Sequence, residues 1–343
     1  MDAPDIHIRS VGTALPGPAI DNAALRRRFG MPSLWEQWID EFVGTHRRHL
    51  AVDLESGEVR HSLADLGELA GRRALDGARL DPRDVDLVVM GTSSPDLLMP
   101  ATVNEIADRL GIDQVPSYQL QSGCTGAVQA LDVASQMLRS GRRRTALVLG
   151  GDTCAKHFDV TMDVASLRPE EQINGVLFGD GAGAVVLSTE PAAGSAVLKH
   201  VFVRLVGRNR PPGQIVEWFG RADRGTGRPP VVEDYKAIEH SVPLLAAEAF
   251  EELLGELDWK NDELEYLMPP QLSGRMTARI TKGLSAPAAQ EISLVAEIGN
   301  TGNALPFFQL EAALPRMAAG ERAAAVAVES SKWIKAGFGL EKV

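Results

Sequence analysis

The stretch SGCTGAVQALDVASQMLRSGRRRTALVLGGD (122–152) decides the fold, because its pattern returns as IGNTGNALPFFQLEAALPRMAAGERAAAVAVES (298–330). Each copy begins x-G-x-T-G and continues with small and apolar residues at helical spacing. A Gly-centred stop and an apolar run typical of a strand follow. The copies lie about 175 residues apart, a spacing that indicates a repeated structural unit.

Two further pairs of segments keep the same order. DLVVMGTSSP (86–95) pairs with EYLMPPQLSG (265–274), and FGDGAGAVVL (178–187) pairs with KAGFGLEKV (335–343). Ordered agreement of three pairs predicts an internal duplication. Halves related by a pseudo-two-fold axis place equivalent residues near that axis. We therefore expect Cys124 and Asn300, which occupy the same position of the repeat, to face each other.

Alternating strand and helix patterns predict an α/β fold with mostly parallel strands. The predicted strands are 84–94, 145–153, 182–189, 200–207 and 324–331, and the predicted helices lie within 64–78, 125–141, 241–257 and 306–321. We place the N-terminal half, with the cysteine, at residues 1–192. The C-terminal half, with the asparagine, then covers residues 193–343. Residues 207–234, rich in Gly, Pro and Arg, predict a loop or insertion with one short strand at most.

Composition excludes several classes of protein. The net charge of −11 argues against nucleic acid as a partner, because phosphate binding needs clustered basic residues. Two cysteines are too few for a disulfide scaffold and lack the paired spacing of a zinc site, so we expect no metal and a reducing, cytoplasmic location. The N-terminal residues lack a signal-peptide pattern, and no run of about 18 apolar residues occurs. Secretion and membrane insertion are not expected.

Cys124 is the candidate nucleophile. It precedes a predicted helix, whose free N–H groups and dipole favour an anion and are expected to lower the thiol pKa. The flanking Gly123 and Gly126 allow close approach of a substrate. A lone cysteine is more often a small buried residue, but the duplication that sets Asn300 opposite favours the nucleophile. Cys154 is expected to be structural.

These motifs resemble the ketoacyl synthase III branch of the thiolase superfamily over nearly the whole chain. VGTALPGPAIDNAAL (11–25), QSGCTGAVQALDVASQMLRSG (121–141), FGDGAGAVVL (178–187) and GNTGNALP (299–306) match in order and spacing. The resemblance implies a five-layered α-β-α-β-α thiolase-like fold, a homodimer and a Cys-His-Asn active site. Cys124 matches the acyl-accepting cysteine.

The resemblance also assigns the other site positions. Asn300 matches the asparagine, and Gly302 in the same turn is expected to line the substrate pocket. The family's histidine corresponds to Pro270 in MPPQLSGR (268–275), and the last histidine of the chain is His240. Proline has no side-chain donor, and loss of one such donor to a developing enolate typically costs about two to three orders of magnitude in rate.

Three functions are considered for a chain that has proline at the family's histidine position. In the first, an acyltransferase takes an acyl group from a carrier-protein or coenzyme A thioester onto Cys124 and passes it to a small-molecule amine or alcohol, which needs no carbanion. In the second, the chain is a 3-oxoacyl carrier-protein synthase III that makes a carbon–carbon bond with another base. In the third, it is a degenerate acyl-binding or partner subunit. The first is favoured, with a phosphopantetheine thioester as donor and no tightly bound cofactor.

Donor recognition is predicted at two places. Trp38 matches a tryptophan that clamps the coenzyme A adenine in the family, but Phe42 stands where an arginine is expected; the alternative is an aromatic that only packs its helix. Arg275, Arg279 and Lys282 are spaced i, i+4 and i+7 and form a basic stripe if their segment is helical. We expect this stripe to dock an acidic carrier protein, although such stripes are often plain solvated surface.

The resemblance further predicts pocket residues near a dimer interface. Met99 and the segment 162–173 correspond to pocket-lining and dimer-cap regions of the family.

Overall fold

The computed structural model describes residues 4–157, 160, 162–218, 225–229 and 231–343. The strands are β1 (His7–Ala14), β2 (Ile20–Asp21), β3 (Arg47–Arg48), β4 (Leu87–Thr92), β5 (Ser117–Gln121), β6 (Thr145–Asp152), β7 (Gly181–Ser188), β8 (Ala196–Leu205), β9 (Gln214–Val216), β10 (Val231–Glu233), β11 (Tyr266–Met268), β12 (Gln290–Glu291), β13 (Arg322–Glu329) and β14 (Ile334–Lys342). The α-helices are α1 (Asn22–Arg28), α2 (Ser33–Trp38), α3 (Leu63–Ala78), α4 (Thr102–Leu110), α5 (Gly126–Arg139), α6 (Pro169–Gln172), α7 (Asn174–Leu177), α8 (Tyr235–Leu257), α9 (Gly274–Leu284), α10 (Val295–Ile298) and α11 (Leu305–Ala313).

Two half-sheets with the same topology form the centre of the molecule. The first has the spatial order β5-β4-β6-β7-β1 and the second β12-β11-β13-β14-β8. Ranked along the chain within each half, both orders read third, second, fourth, fifth, first. The duplicated thiolase-like fold expected from the sequence is confirmed. The turn between β7 and β8 contains the half boundary that we place after residue 192, which stays a prediction.

Four of the five strands in each half run in one direction, in line with the expectation of mostly parallel strands. In the first half, β4 runs parallel to β5 and β6, while β7 runs antiparallel to β6 and β1, so β7 alone is opposed to the other four strands. The second half repeats this pattern. A short hairpin joins β13 to β14, and a hairpin can only produce an antiparallel pair.

The layers follow from which helix faces are apolar. Helix α11 has the sequence LPFFQLEAA, apolar nearly all round, and such a helix must be buried on every side. It packs with α5 in a core between the two half-sheets. Helices α3 and α4 cover the outer face of the first half-sheet, and α8 and α9 cover that of the second. The result is the α-β-α-β-α layering.

Local signals explain where two outer helices begin. Helix α3 starts after Ser62, whose side chain accepts from the Asp65 backbone while Asp65 reaches back to the Ser62 backbone. Helix α8 starts at Tyr235, earlier than predicted, because the Asp234 side chain caps it by accepting from the Ala237 N–H. Among the helices of the described ranges, none combines the length and apolar character needed to cross a bilayer.

The predicted insertion at 207–234 contains two short strands rather than one. Strands β9 and β10 pair antiparallel, with Gln214 opposite Glu233. Residues 219–224 and 230, between these strands, lie outside the described residues. We call the pair β9–β10 the ribbon.

Candidate active site

Cys124 lies in the turn between β5 and α5, where three cavities meet. The first cavity has a volume of about 530 Å³ and the second about 620 Å³, and a cleft of about 30 Å³ lies beside them; Cys124 lines all three. Asn300, Pro270 and Gly302 all line the cleft. Four residues singled out in the sequence therefore come together at one place, and their catalytic roles stay predictions.

Backbone hydrogen bonds orient the Asn300 side chain. The Gly302 N–H donates to Asn300 Oδ1 at 3.0 Å, which sets the amide nitrogen, a donor, at the other end of the group. Gly302 adopts a positive φ of 55°, and a Cβ there would collide with Asp152 Oδ2. Glycine is therefore required at this turn.

A buried polar network that the sequence reading missed holds the Cys124 turn. Asn303 donates to the Ser122 carbonyl at 3.1 Å and to Asp152 Oδ2 at 2.9 Å, and its Oδ1 accepts from the Ala127 N–H at 3.0 Å. Asp152 in turn accepts from the Ser93 N–H at 2.7 Å. The network ties the start of α5 to the ends of β6 and β4. Asn303 stands in the quoted turn GNTGNALP, but its contact with Asp152 cannot be read from spacing.

The Cys124 thiol has a high pKa, so the expected lowering by the helix start was wrong. Burial raises the pKa of Cys124 to about 12, and the carboxylates of Glu329 and Asp152 add to the shift. Glu329 is buried and accepts from Ser122 Oγ and Thr125 Oγ1, both at 2.6 Å. The backbone hydrogen bond at Cys124 opposes the shift but is outweighed. The thiol is therefore protonated in the resting protein.

The segment around Pro270 is held by its neighbours. Gln271 is buried, donates to the Ile292 carbonyl at 2.8 Å and accepts from the Leu294 and Val295 N–H groups at 2.9 and 3.0 Å. Its amide is thus committed to the backbone. None of the described residues that line the three cavities is a histidine.

The second cavity opens beside the N-terminal end of α9. Phe42, Arg275 and Arg279 line it, the Arg275 guanidinium lies 5.4 Å from the Phe42 ring centre, and Arg279 pairs with Glu239 at 3.2 Å. Trp38 does not belong to the described residues lining this cavity. It is half-buried and packs against the cluster of α1 and α2, which favours the packing alternative.

The remaining predicted residues lie on the surface. Helix α9 confirms the helical spacing of the stripe, and its third member, Lys282, is exposed one turn beyond Arg279. Met99 is 87% exposed after β4 and is not among the described residues that line the Cys124 cavities in the single chain, and its assignment to the pocket stays a prediction. It projects beside the exposed Leu97 and Leu98.

Side chains next to the ribbon form a polar wall that sequence reasoning also missed. Asn174, Gln214, Glu233 and Tyr235 line both the first and the second cavity. Burial and the nearby Glu233 carboxylate raise the pKa of Tyr235 well above its usual range, so the phenol stays protonated. A low-periodicity segment gives no signal for such a wall, because its position depends on how the insertion folds back.

Cys154 shares the first cavity with Cys124. Burial raises the pKa of Cys154 well above its usual range, with Asp152 and Asp180 adding to the shift. A thiol in such surroundings is a poor nucleophile. Its expected structural role stays a prediction.

Comparison with known proteins agrees with the fold. Residues 118–203 match the family described as 3-Oxoacyl-[acyl-carrier-protein (ACP)] synthase III. The chain is 31% identical over 297 residues to a beta-ketoacyl-[acyl-carrier-protein] synthase III of Sphingopyxis alaskensis, covering 87% of this chain and 86% of the relative. The chain therefore belongs to the ketoacyl synthase III family of thiolase-like enzymes.

Two solved structures are similar over almost the full length. One is named AbyA1, a tetronic acid condensing enzyme, with 60% identity, a TM-score of 0.95 and coverage of 98% of this chain and 99% of that chain. The other is 3-oxoacyl-(acyl carrier protein) synthase III, FabH, of Pseudomonas aeruginosa, with 25% identity, a TM-score of 0.82 and coverage of 98% of each chain.

Proposed function

We propose that the chain transfers an acyl group through a thioester on Cys124 to a small nucleophile, with an alcohol favoured as acceptor. This proposal rests on one observation: Cys124, Asn300 and Pro270 line the same cleft, and Cys124 also lines the two larger cavities beside it. One cavity can take the acyl chain while the other takes the arm of the donor. The amide nitrogen of Asn300 is a donor for the carbonyl oxygen of the bound acyl group.

The loading step balances without an added cofactor. Cys124 attacks the donor thioester, the acyl–sulfur bond of the donor breaks, and the leaving phosphopantetheine thiolate takes the Cys124 proton. Because the pKa of Cys124 is about 12, the thiol must lose its proton as it attacks rather than beforehand. An acyl carrier protein or coenzyme A is the proposed donor.

The 60% identical structure, named a tetronic acid condensing enzyme, gives a second candidate for the step in which the acyl group leaves Cys124. A tetronic acid ring contains an ester oxygen and a carbon flanked by two carbonyl carbons. Building such a ring from thioesters requires one acyl transfer to a hydroxyl oxygen and one to carbon. The flanked carbon loses its proton far more easily than the α-carbon of a simple thioester. This second candidate, ring-forming condensation in secondary metabolism, thus needs neither decarboxylation nor the histidine that Pro270 replaces.

Loading of Cys124 is the first test. Incubation with octanoyl-pantetheine should add one octanoyl mass to the protein, located on Cys124 by peptide mapping, and Cys124→Ala should abolish it while Cys154→Ala should not. Malonyl-pantetheine offered to the loaded protein should release little carbon dioxide, because Pro270 supplies no donor to the enolate. Full-rate transfer by Cys124→Ala would refute the thioester route. Rapid formation of a 3-oxoacyl product would favour the decarboxylating alternative.

A further inference from the structure

Glu233 holds a fixed position at the end of the ribbon. It pairs with Gln214 across the two strands, and the next residue, Asp234, donates its N–H to the Gly213 carbonyl at 2.8 Å. Gly213 itself donates to the Ser330 carbonyl at 2.9 Å, directly after β13. The base of the ribbon is therefore tied to the second half-sheet, and Glu233 is not carried by a free loop.

One oxygen of this carboxyl group lacks a partner. Gln214 Nε2 donates to Glu233 Oε1. Oε2 is buried and makes no hydrogen bond of ordinary geometry with the residues that the structure describes; the Tyr235 hydroxyl lies near enough for a weak hydrogen bond to the carboxylate, which helps to raise the tyrosine pKa. A buried acceptor without a donor is unfavourable, because it has lost its hydrogen bonds to water without replacement. Such an atom beside a cavity marks a place where a bound molecule supplies the missing donor.

Cys124 lies at the same cavities. Glu233 and Cys124 both line the first and the second cavity, and the Glu233 charge is one of those that raise the pKa of the thiol. A molecule that reaches an acyl group on Cys124 through either cavity therefore shares that cavity with this carboxyl group.

The other nearby carboxylates are already engaged. Asp152 accepts from Ser93 Oγ and Ser94 Oγ on one oxygen and from Asn303 on the other. Glu329 accepts from hydroxyl groups on both of its oxygens.

Glu171, which lines the first cavity, pairs with Arg168 at 2.8 Å. Of the carboxylates compared at the described site, Glu233 is the one with an acceptor oxygen left over.

We propose that Glu233 is the catalytic base that takes the proton of the attacking nucleophile when the acyl group leaves Cys124. This inference rests on the proposed acyl transfer. The acceptor's O–H bond breaks toward Glu233 Oε2, its oxygen forms the new bond to the acyl carbon, and the bond from that carbon to Cys124 sulfur breaks. The proton then passes from Glu233 to the Cys124 thiolate, which restores both groups.

Separate measurement of loading and discharge tests the assignment. Wild type, Glu233→Gln and Glu233→Asp are loaded with octanoyl-pantetheine and freed of donor, and loss of the octanoyl mass is then followed with water, glycerol, ethanolamine or hydroxylamine. Glu233→Gln should load at a rate within about threefold of wild type but discharge to water and glycerol about 10²–10⁴ times more slowly. Glu233→Asp, which keeps a base one carbon further away, should recover part of the rate.

Two controls make the result specific. Hydroxylamine attacks thioesters without prior loss of a proton, so it should discharge wild type and Glu233→Gln equally. Glu251→Gln removes an exposed carboxylate of α8 that lines none of the three cavities and should behave as wild type.

Three results would overturn the assignment. Equal discharge to glycerol and water by wild type and Glu233→Gln would overturn it while leaving acyl transfer intact. Loss of loading in Glu233→Gln, with loading intact in Glu251→Gln, would give Glu233 a different role. A loaded wild type that no nucleophile discharges faster than free octanoyl-pantetheine would refute the proposed transfer itself and Glu233 with it.

Discussion

At Cys124, the sequence predicted the helix that follows but not the carboxylates that surround the thiol. The helix after it was predictable, and α5 begins at Gly126. The carboxylates of Glu329 and Asp152 come from β13 and β6, and only the folded chain brings them to the thiol. Their charges and the burial oppose the effect of the helix start, which alone would favour a thiolate.

Alkylation of Cys124 should reflect this balance of charges. With a pKa of about 12, the rate with iodoacetamide should rise about tenfold per pH unit from pH 8 to 11, because only the thiolate reacts. Glu329→Gln removes one negative charge, lowers the thiol pKa and should speed alkylation at pH 8 severalfold or more. Peptide mapping separates Cys124 from Cys154. Glu251→Gln, an exposed carboxylate of α8 away from the cavities, serves as the control, and a pH-independent rate in wild type would contradict the assignment of the high pKa.

Helix α9 is the element on which sequence and structure agree best at the site. The spacing of Arg275, Arg279 and Lys282 predicted one basic face, and α9 is helical throughout. Its first turn borders the second cavity, as expected from the position of Pro270 just before it. The pairing of Arg279 with Glu239 of α8 was not predictable, since it depends on how two helices pack.

Charge reversal on α9 should weaken use of a carrier-bound donor selectively. Arg275→Glu with Arg279→Glu should raise the apparent KM for an acyl carrier protein thioester about tenfold or more at low salt and leave loading from octanoyl-pantetheine within about twofold. High salt should narrow the difference.

Arg142→Glu with Arg144→Glu is the matched control for this prediction. It makes the same charge change beyond the far end of α5, a helix of 14 residues or about 21 Å. Equal loss with both donors would mean that the α9 residues support the fold, and no loss with either would make them ordinary surface.

The division of the molecule into two similar halves was predictable, because the sequence repeats itself. Three ordered pairs of segments predicted two similar halves, and the half-sheets share one topology. The short strands β5, β11 and β12 are too brief for a clear period, and the antiparallel course of β7 and β14 depends on which neighbours they meet in space. The ribbon was not predictable either, because its strands are short and their pairing depends on how the insertion folds. The position of Glu233 depends on the ribbon and was missed with it.

We predict that the protein forms a homodimer through the free edge of the first half-sheet. Strand β5 ends that half-sheet within the described residues and leaves Tyr118 43% exposed, while Leu98 and Met99 nearby in sequence are 70% and 87% exposed. An unprotected strand edge beside exposed apolar side chains favours pairing with a second chain. Light scattering after gel filtration should give twice the chain mass for wild type, and Leu98→Asp with Met99→Asp should shift it toward the monomer by burying charge in the interface.

The control for the dimer prediction changes exposed leucines elsewhere. Leu34 and Leu244 are 71% and 54% exposed on α2 and α8, and Leu34→Asp with Leu244→Asp adds the same charge without touching the β5 edge. Circular dichroism should show that both double variants remain folded. A wild type that stays monomeric at high micromolar concentration would refute the dimer. A control that dissociates as readily as Leu98→Asp with Met99→Asp would place the interface elsewhere, because added charge at an unrelated surface has no reason to separate two chains.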